Sequence, residues 1–135
     1  MFSKLYENNI HERSNSMTNF IFENTWEENQ EALKTKKLAI IPVGSSEQHG
    51  PALPVGTDWM IAQYLARKVG EKTNKGLVAP VVPFGHALYH ADFPGTMAVS
   101  QTTLATYVKE VCDAVVEYIL RFIDEFVNFE FEFKK

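Results

Sequence analysis

Three observations predict a three-layer α/β/α fold with a mostly parallel sheet. Two apolar runs, residues 38–43 and 77–83, are continuous rather than alternating, as strands covered on both faces are. Each is followed by a Gly/Pro-rich loop and then by a segment with apolar residues at helical spacing. Strand, loop and helix repeated in that order build a parallel sheet between layers of helices.

Taken in order, residues 1–16 are polar and aperiodic and read as a loose leader, with His11 solvated and Met17 available as a start. Thr25 and Glu28 have the spacing of a capping box, so a short helix should run to about Lys34, with Lys34, Lys36 and Lys37 near its negative end. The first buried strand follows at residues 38–43. Thr57 or Asp58 can cap a second helix over about residues 59–69, with Met60, Ile61, Tyr64, Leu65 and Val69 as its apolar stripe. Gly70 and residues 72–76 should end it. The second strand contains Pro80 and Pro83, which suggests an irregular or edge position. Residues 85–95 form a loop carrying His86, Tyr89, His90 and Asp92. Ser100 can cap the longest helix, about residues 101–122, whose stripe is Leu104, Tyr107, Val108, Val111, Val115, Tyr118, Ile119 and Phe122. Residues 126–133 then alternate at period two, and four phenylalanines there look like an aggregation-prone edge strand.

Composition narrows the class of protein. The chain has 135 residues, 45% hydrophobic and 22% charged, enough for one domain of modest size. Net charge is −4 with the basic residues scattered, which argues against nucleic acid as a partner. The single cysteine, Cys112, excludes an internal disulfide and reads as a buried inert thiol in a reducing cytoplasm. No apolar stretch approaches the ~20 residues that span a bilayer, so no membrane partner is expected.

The chemistry concentrates in residues 42–58, Pro-Val-Gly-Ser-Ser-Glu-Gln-His-Gly-Pro-Ala-Leu-Pro-Val-Gly-Thr-Asp, directly after the first strand. Reactive groups in parallel α/β sheets collect on such loops. Glu47 and His49 are two apart, so an extended backbone points both to one side. Gly50, Pro51 and Pro54 turn and stiffen the chain and can return Asp58 to them at the head of the next helix. Two oxygen ligands and one nitrogen ligand suit a divalent metal with open positions for water. The bland alternative is a connection whose polar groups face solvent. A phosphate cradle on Gly44, Gly50 and Gly56 fits neither common glycine fingerprint, and Glu47 and Asp58 would repel the anion.

The segment Ile41 to Asp58 closely resembles the signature of the creatininase (creatinine amidohydrolase) family. Phe93-Pro94-Gly95-Thr96 resembles the family's second hallmark, and the helix beginning at Trp26-Glu27 fits its usual start. The resemblance spans about residues 25–128 and implies a creatininase-like fold, homo-oligomeric assembly and metal-dependent hydrolysis of C–N bonds in small cyclic or linear amides. It also implies two divalent ions, zinc, manganese or iron, with Glu47 and His49 on different ions and Asp58 bridging them. His90 falls where the family places substrate-pocket residues, implying substrate contact or proton transfer, with Asp92 and His86 as loop hydrogen-bonders. Two departures stand out. Ala52 occupies a position where relatives commonly carry His, and residues 129–135 replace the loop that supplies the family's remaining ligands. The expected organisation is therefore a leader (1–16), the N-terminal portion of a creatininase-like domain (17–128) and an atypical tail (129–135), an incomplete version of the fold. The two functional expectations are an amidohydrolase of this type and a catalytically inactive truncated remnant with at most one weak metal site.

Overall fold

The structure, a computed structural model, describes residues 17–124, and for residues 122–124 only the helical backbone. The expectations for the leader, for His11, for the Phe122 side chain and for the Phe-rich strand and tail lie outside the described residues. The elements are α1 (Trp26–Leu33), β1 (Leu38–Ile40), α2 (Thr57–Thr73), β2 (Gly76–Val78), a 3₁₀ turn (Leu88–His90) and α3 (Gln101–Asp124).

β1 and β2 pair in parallel, Leu38 with Gly76, Ala39 with Leu77 and Ile40 with Val78. Adjacent strand residues point to opposite faces, and the packing follows. Val78 and Ile40 meet Ala66 of α2 together with Phe20. Leu77 meets Ala32 and Leu33 of α1, with Ile119 of α3 and Ile21 packed against them. Helices therefore cover both faces of the sheet, which is the three-layer α/β arrangement the apolar runs predict.

α1 begins with the expected capping box: Thr25 Oγ1 accepts from the Glu28 N–H at 3.2 Å, and the Glu28 carboxylate accepts from the Thr25 N–H at 2.7 Å. At its far end the three lysines behave differently. Lys37 donates to the Leu33 carbonyl, as the helix dipole favours. Lys36 is instead only 6% exposed and donates to Asn19 and Asn74, and burial lowers its pKa below the usual lysine range. It ties the segment before α1 to the end of α2.

Several expectations need correction. The strands are short because Pro42, Pro80 and Pro83 interrupt the ladder; pairing resumes only at the Val43–Val82 bridge. Of the two expectations for the second strand, irregular or at an edge, the irregular one holds; β2 is fully buried, with Phe20 bridging to Val78 on its far side. β1, expected to be covered on both faces, is half-exposed, and among the described residues nothing pairs with its other edge. Neither Thr57 nor Asp58 caps α2. Gly56 is the N-cap, the Thr57 hydroxyl donates to the Pro54 carbonyl and Asp58 faces His49. Gly70 does not break α2, but the helix ends within residues 72–76 as expected, stopping at Thr73 and closing on left-handed Asn74.

The largest correction concerns which side of α2 is buried. Ala66 and Gly70 face the sheet, while Met60, Ile61, Tyr64, Leu65 and Val69 are exposed. The helix lies so close to β2 that a Cβ on Gly70 would stand 2.6 Å from Val78 Cγ2, so only small residues fit the contact. In α3, Ser100 caps as expected, its hydroxyl accepting from the Thr103 N–H. The stripe is half-buried at Leu104, Val108, Val111, Val115 and Ile119, with Tyr107 and Tyr118 exposed, and Cys112 is half-buried rather than buried.

Candidate metal centre

The loop from Gly44 to Gly56 leaves the sheet at the carboxyl end of β1 and returns into α2. Its start is locked by close contact, since a Cβ on Gly44 would lie 2.4 Å from the Trp59 Cα. That approach seats the first turn of α2, and with it Asp58, beside the outgoing strand. The chain then runs extended: Ser46 bridges to Met97 and the Glu47 N–H donates to the Val55 carbonyl at 2.9 Å. Gly50, at φ +71°, makes the turn that a side chain would resist.

This path brings Glu47, His49 and Asp58 together, with one potential ligand atom from each within 4.8 Å of the others. All three are half-buried. His49 Nδ1 lies 3.0 Å from the Glu47 carbonyl, which can only accept, so Nδ1 carries a proton. Nε2 is thereby aimed at Asp58 Oδ1, 3.1 Å away. A backbone carbonyl fixing one imidazole nitrogen while the other faces the ligand position is the usual support of a metal-binding histidine. The Glu47 carbonyl contact raises the His49 pKa above its ordinary value; partial desolvation opposes this, and the Asp58 charge reinforces it. Glu47 is held as well, with the Ser45 hydroxyl donating to Oε2 at 2.8 Å.

His90, at the end of the 3₁₀ turn, joins this site. Its Nε2 lies 3.9 Å from Glu47 Oε1, its Nδ1 lies 3.0 Å from the Gln48 amide nitrogen, and Phe93 packs edge-on against its ring. His86 and Asp92 do not join it: both are exposed, and His86 Nδ1 donates to the Val99 carbonyl at 3.2 Å. Ala52 is exposed on the turn after Gly50. Sequence reasoning missed Ser45, Gln48 and Thr96, whose Oγ1 accepts from the Gln48 N–H at 3.1 Å. Ser45 was within reach of the same two-residue spacing that pairs Glu47 with His49. Gln48 and Thr96 carry no such signal, because the bonds that join Gln48 to Thr96 and to His90 span more than 40 residues.

The donor set fits a divalent ion: two carboxylates and an imidazole converge, one oxygen and one nitrogen already held by neighbours. An α/β protein with such a donor set beyond a strand's carboxyl end is a candidate metal-dependent enzyme of the parallel-sheet class. The chain belongs to the creatininase (creatinine amidohydrolase) family, whose profile matches residues 23–123. It is 35% identical over 96 residues to the mycofactocin precursor peptide peptidase of Mycolicibacterium smegmatis, covering 67% of this chain and 38% of that protein. It is 36% identical over 87 residues to the 3-dehydro-scyllo-inosose hydrolase of Thermotoga maritima, covering 64% of this chain and 28% of that protein. The chain thus spans roughly a third of the length of these relatives. Among solved structures it resembles creatinine amidohydrolase (creatininase) with a TM-score of 0.68 at 25% identity, over 76% of this chain and 42% of that one. A creatininase variant in its Zn–Zn form matches with a TM-score of 0.67 at 25% identity, over the same shares.

Proposed function

We propose that this chain carries part of the active site of a metal-dependent hydrolase of C–N bonds in small amides. The observation that carries the reading is the convergence of Glu47, His49 and Asp58 within 4.8 Å, in the segment that matches the family. Glu47 and Asp58 supply oxygen ligands and His49 supplies Nε2. Ser45 holds the Glu47 carboxylate in place, and the Glu47 carbonyl holds the His49 ring. A zinc or manganese ion in such a set contributes polarisation of the amide carbonyl and a lowered pKa for water. Zinc and manganese forms of creatininase among the solved structures support this choice, and iron has a compatible donor preference. His90 reaches the same space and contacts the substrate or passes a proton to it.

Three protein ligands suffice for one ion, whereas two ions need further donors. We therefore propose one equivalent of bound metal for this chain, and two for an assembly in which the remaining ligands are present. The same count favours the second reading, a chain that binds metal weakly without turnover. Homo-oligomeric assembly is part of the proposal, supported by the exposed apolar face of α2. A cytoplasmic location is supported by the lone cysteine, and among the described residues no helix is long and apolar enough to cross a membrane.

Calorimetric titration with zinc or manganese, paired with hydrolysis assays on small cyclic and linear amides, tests the proposal. One equivalent bound with only feeble metal-dependent turnover is the expected result. Binding without any turnover would favour the inactive reading, and no binding at millimolar metal would remove the hydrolase reading.

A further inference from the structure

We propose that Gln48 is a positioning residue that fixes the tautomer of His90, so that His90 presents an Nε2–H donor beside the Glu47 carboxylate. The functional meaning of this assignment rests on the metal-site reading above; the assignment itself rests on hydrogen-bond polarity.

The Gly50 N–H, which can only donate, lies 2.9 Å from Gln48 Oε1. The Gln48 amide is therefore oriented with its NH₂ on the other side, 3.0 Å from His90 Nδ1. An amide NH₂ only donates, so Nδ1 must accept, and a neutral imidazole with an accepting Nδ1 carries its proton on Nε2. That nitrogen lies 3.9 Å from Glu47 Oε1. Gln48 is anchored by its own N–H on Thr96 Oγ1, and the Phe93 ring limits rotation of the imidazole.

Consecutive residues thus fix the Nδ1 atoms of two histidines in opposite roles, a donor in His49 and an acceptor in His90. The Glu47 carbonyl keeps a proton on His49 Nδ1, so Nε2, 3.1 Å from Asp58 Oδ1, is the nitrogen left to ligate an ion. The Gln48 NH₂ holds His90 as Nε2–H, which has no lone pair to offer a metal from that nitrogen. To ligate through Nε2, His90 would have to place a proton on Nδ1 against the Gln48 NH₂. His49 is set as a ligand and His90 as a donor, which suits a substrate with an oxygen acceptor, such as an amide carbonyl, beside the metal position.

The test is nitrogen-15 NMR of the histidine-labelled 135-residue chain in mildly alkaline buffer, with His90→Ala used to assign the signals. Wild type should show His90 Nδ1 unprotonated and Nε2 protonated, and zinc should move the His49 signals while leaving that pattern intact. Gln48→Glu keeps an acceptor for the Gly50 N–H but offers His90 a second acceptor, so the two nitrogens should exchange roles. Gln48→Leu removes the donor without a charge, and the preference should relax to a mixture. A wild-type Nδ1–H form, an unchanged tautomer in either variant, or a zinc-bound His90 would each overturn the assignment. If the His90 pattern appears and zinc leaves His49 unmoved, the assignment stands and the metal-site reading fails.

Discussion

The loop at the carboxyl end of β1 and the face between α1, α3 and the sheet are organised by different forces. The loop is held by directional contacts: Ser45 on Glu47, the Glu47 carbonyl on His49, and Gln48 between Gly50 and His90. The other face is apolar and open. A cavity of about 520 Å³ lies between α1, α3 and the sheet, bordered by Leu33, Leu38, Leu77, Val115 and Ile119. Trp26 at its rim is 73% exposed, and among the described residues nothing covers it. The contrast teaches that the site's geometry is set by local polar bonds and glycine contacts more than by the bulk of the core. Damage to one region should therefore leave the other's readout largely intact.

The sharpest way to break this comparison is at the ligands. Replacing His49 or Glu47 by Ala should abolish metal binding in a calorimetric titration while leaving the unfolding midpoint nearly unchanged. Retained binding in the double variant would show that the ion sits elsewhere. Val78→Ala works from the opposite side: it empties a fully buried contact between β2 and α2 and should cost about 1.5–3 kcal/mol in denaturant unfolding. Metal affinity should fall little so long as the variant remains folded.

Ser45→Ala sharpens the contrast, since it removes only the bond that holds Glu47. An affinity loss of roughly 10–100-fold is expected, in line with other supports of metal ligands. The proton on His49 gives a related, graded effect. Its pKa is raised in the folded chain, so its contribution to stability is present below the unfolded value of about 6.5 and is lost as pH rises through the folded value. Metal binding has the opposite sign, because the ion competes for the same nitrogen. Affinity should be level above the raised pKa and fall by up to about tenfold per pH unit below it. A pH-independent affinity across that window would remove His49 from the ligand set. The smallest change expected is for Thr25→Ala, which loses half of the capping box of α1 and should cost about 1 kcal/mol with no effect on metal binding.

Much of the molecule was legible in the chain. The capping box at Thr25 and Glu28, the strand–loop–helix order and the convergence of Glu47, His49 and Asp58 follow from short-range rules: side-chain reach, backbone period and the turning power of Gly and Pro. The errors share a different origin. Met60, Ile61, Tyr64, Leu65 and Val69 look like a core stripe, but a close approach of α2 to Val78 reserves the inner face for Ala66 and Gly70. The prolines of the second strand pointed to irregularity or an edge; the irregularity is there, but Phe20, far away in the chain, keeps the strand from being an edge.

By itself, then, the sequence indicated the class of fold and the family, and it named three residues with the chemistry to hold an ion, because these follow from residue types, local periodicity and a contiguous motif. Only the tertiary structure decided which strand is enclosed, which face of α2 is buried, and that Gln48 meets His90 across the site. Those outcomes depend on distances between segments far apart in the chain, and close packing and hydrogen-bond polarity decide them.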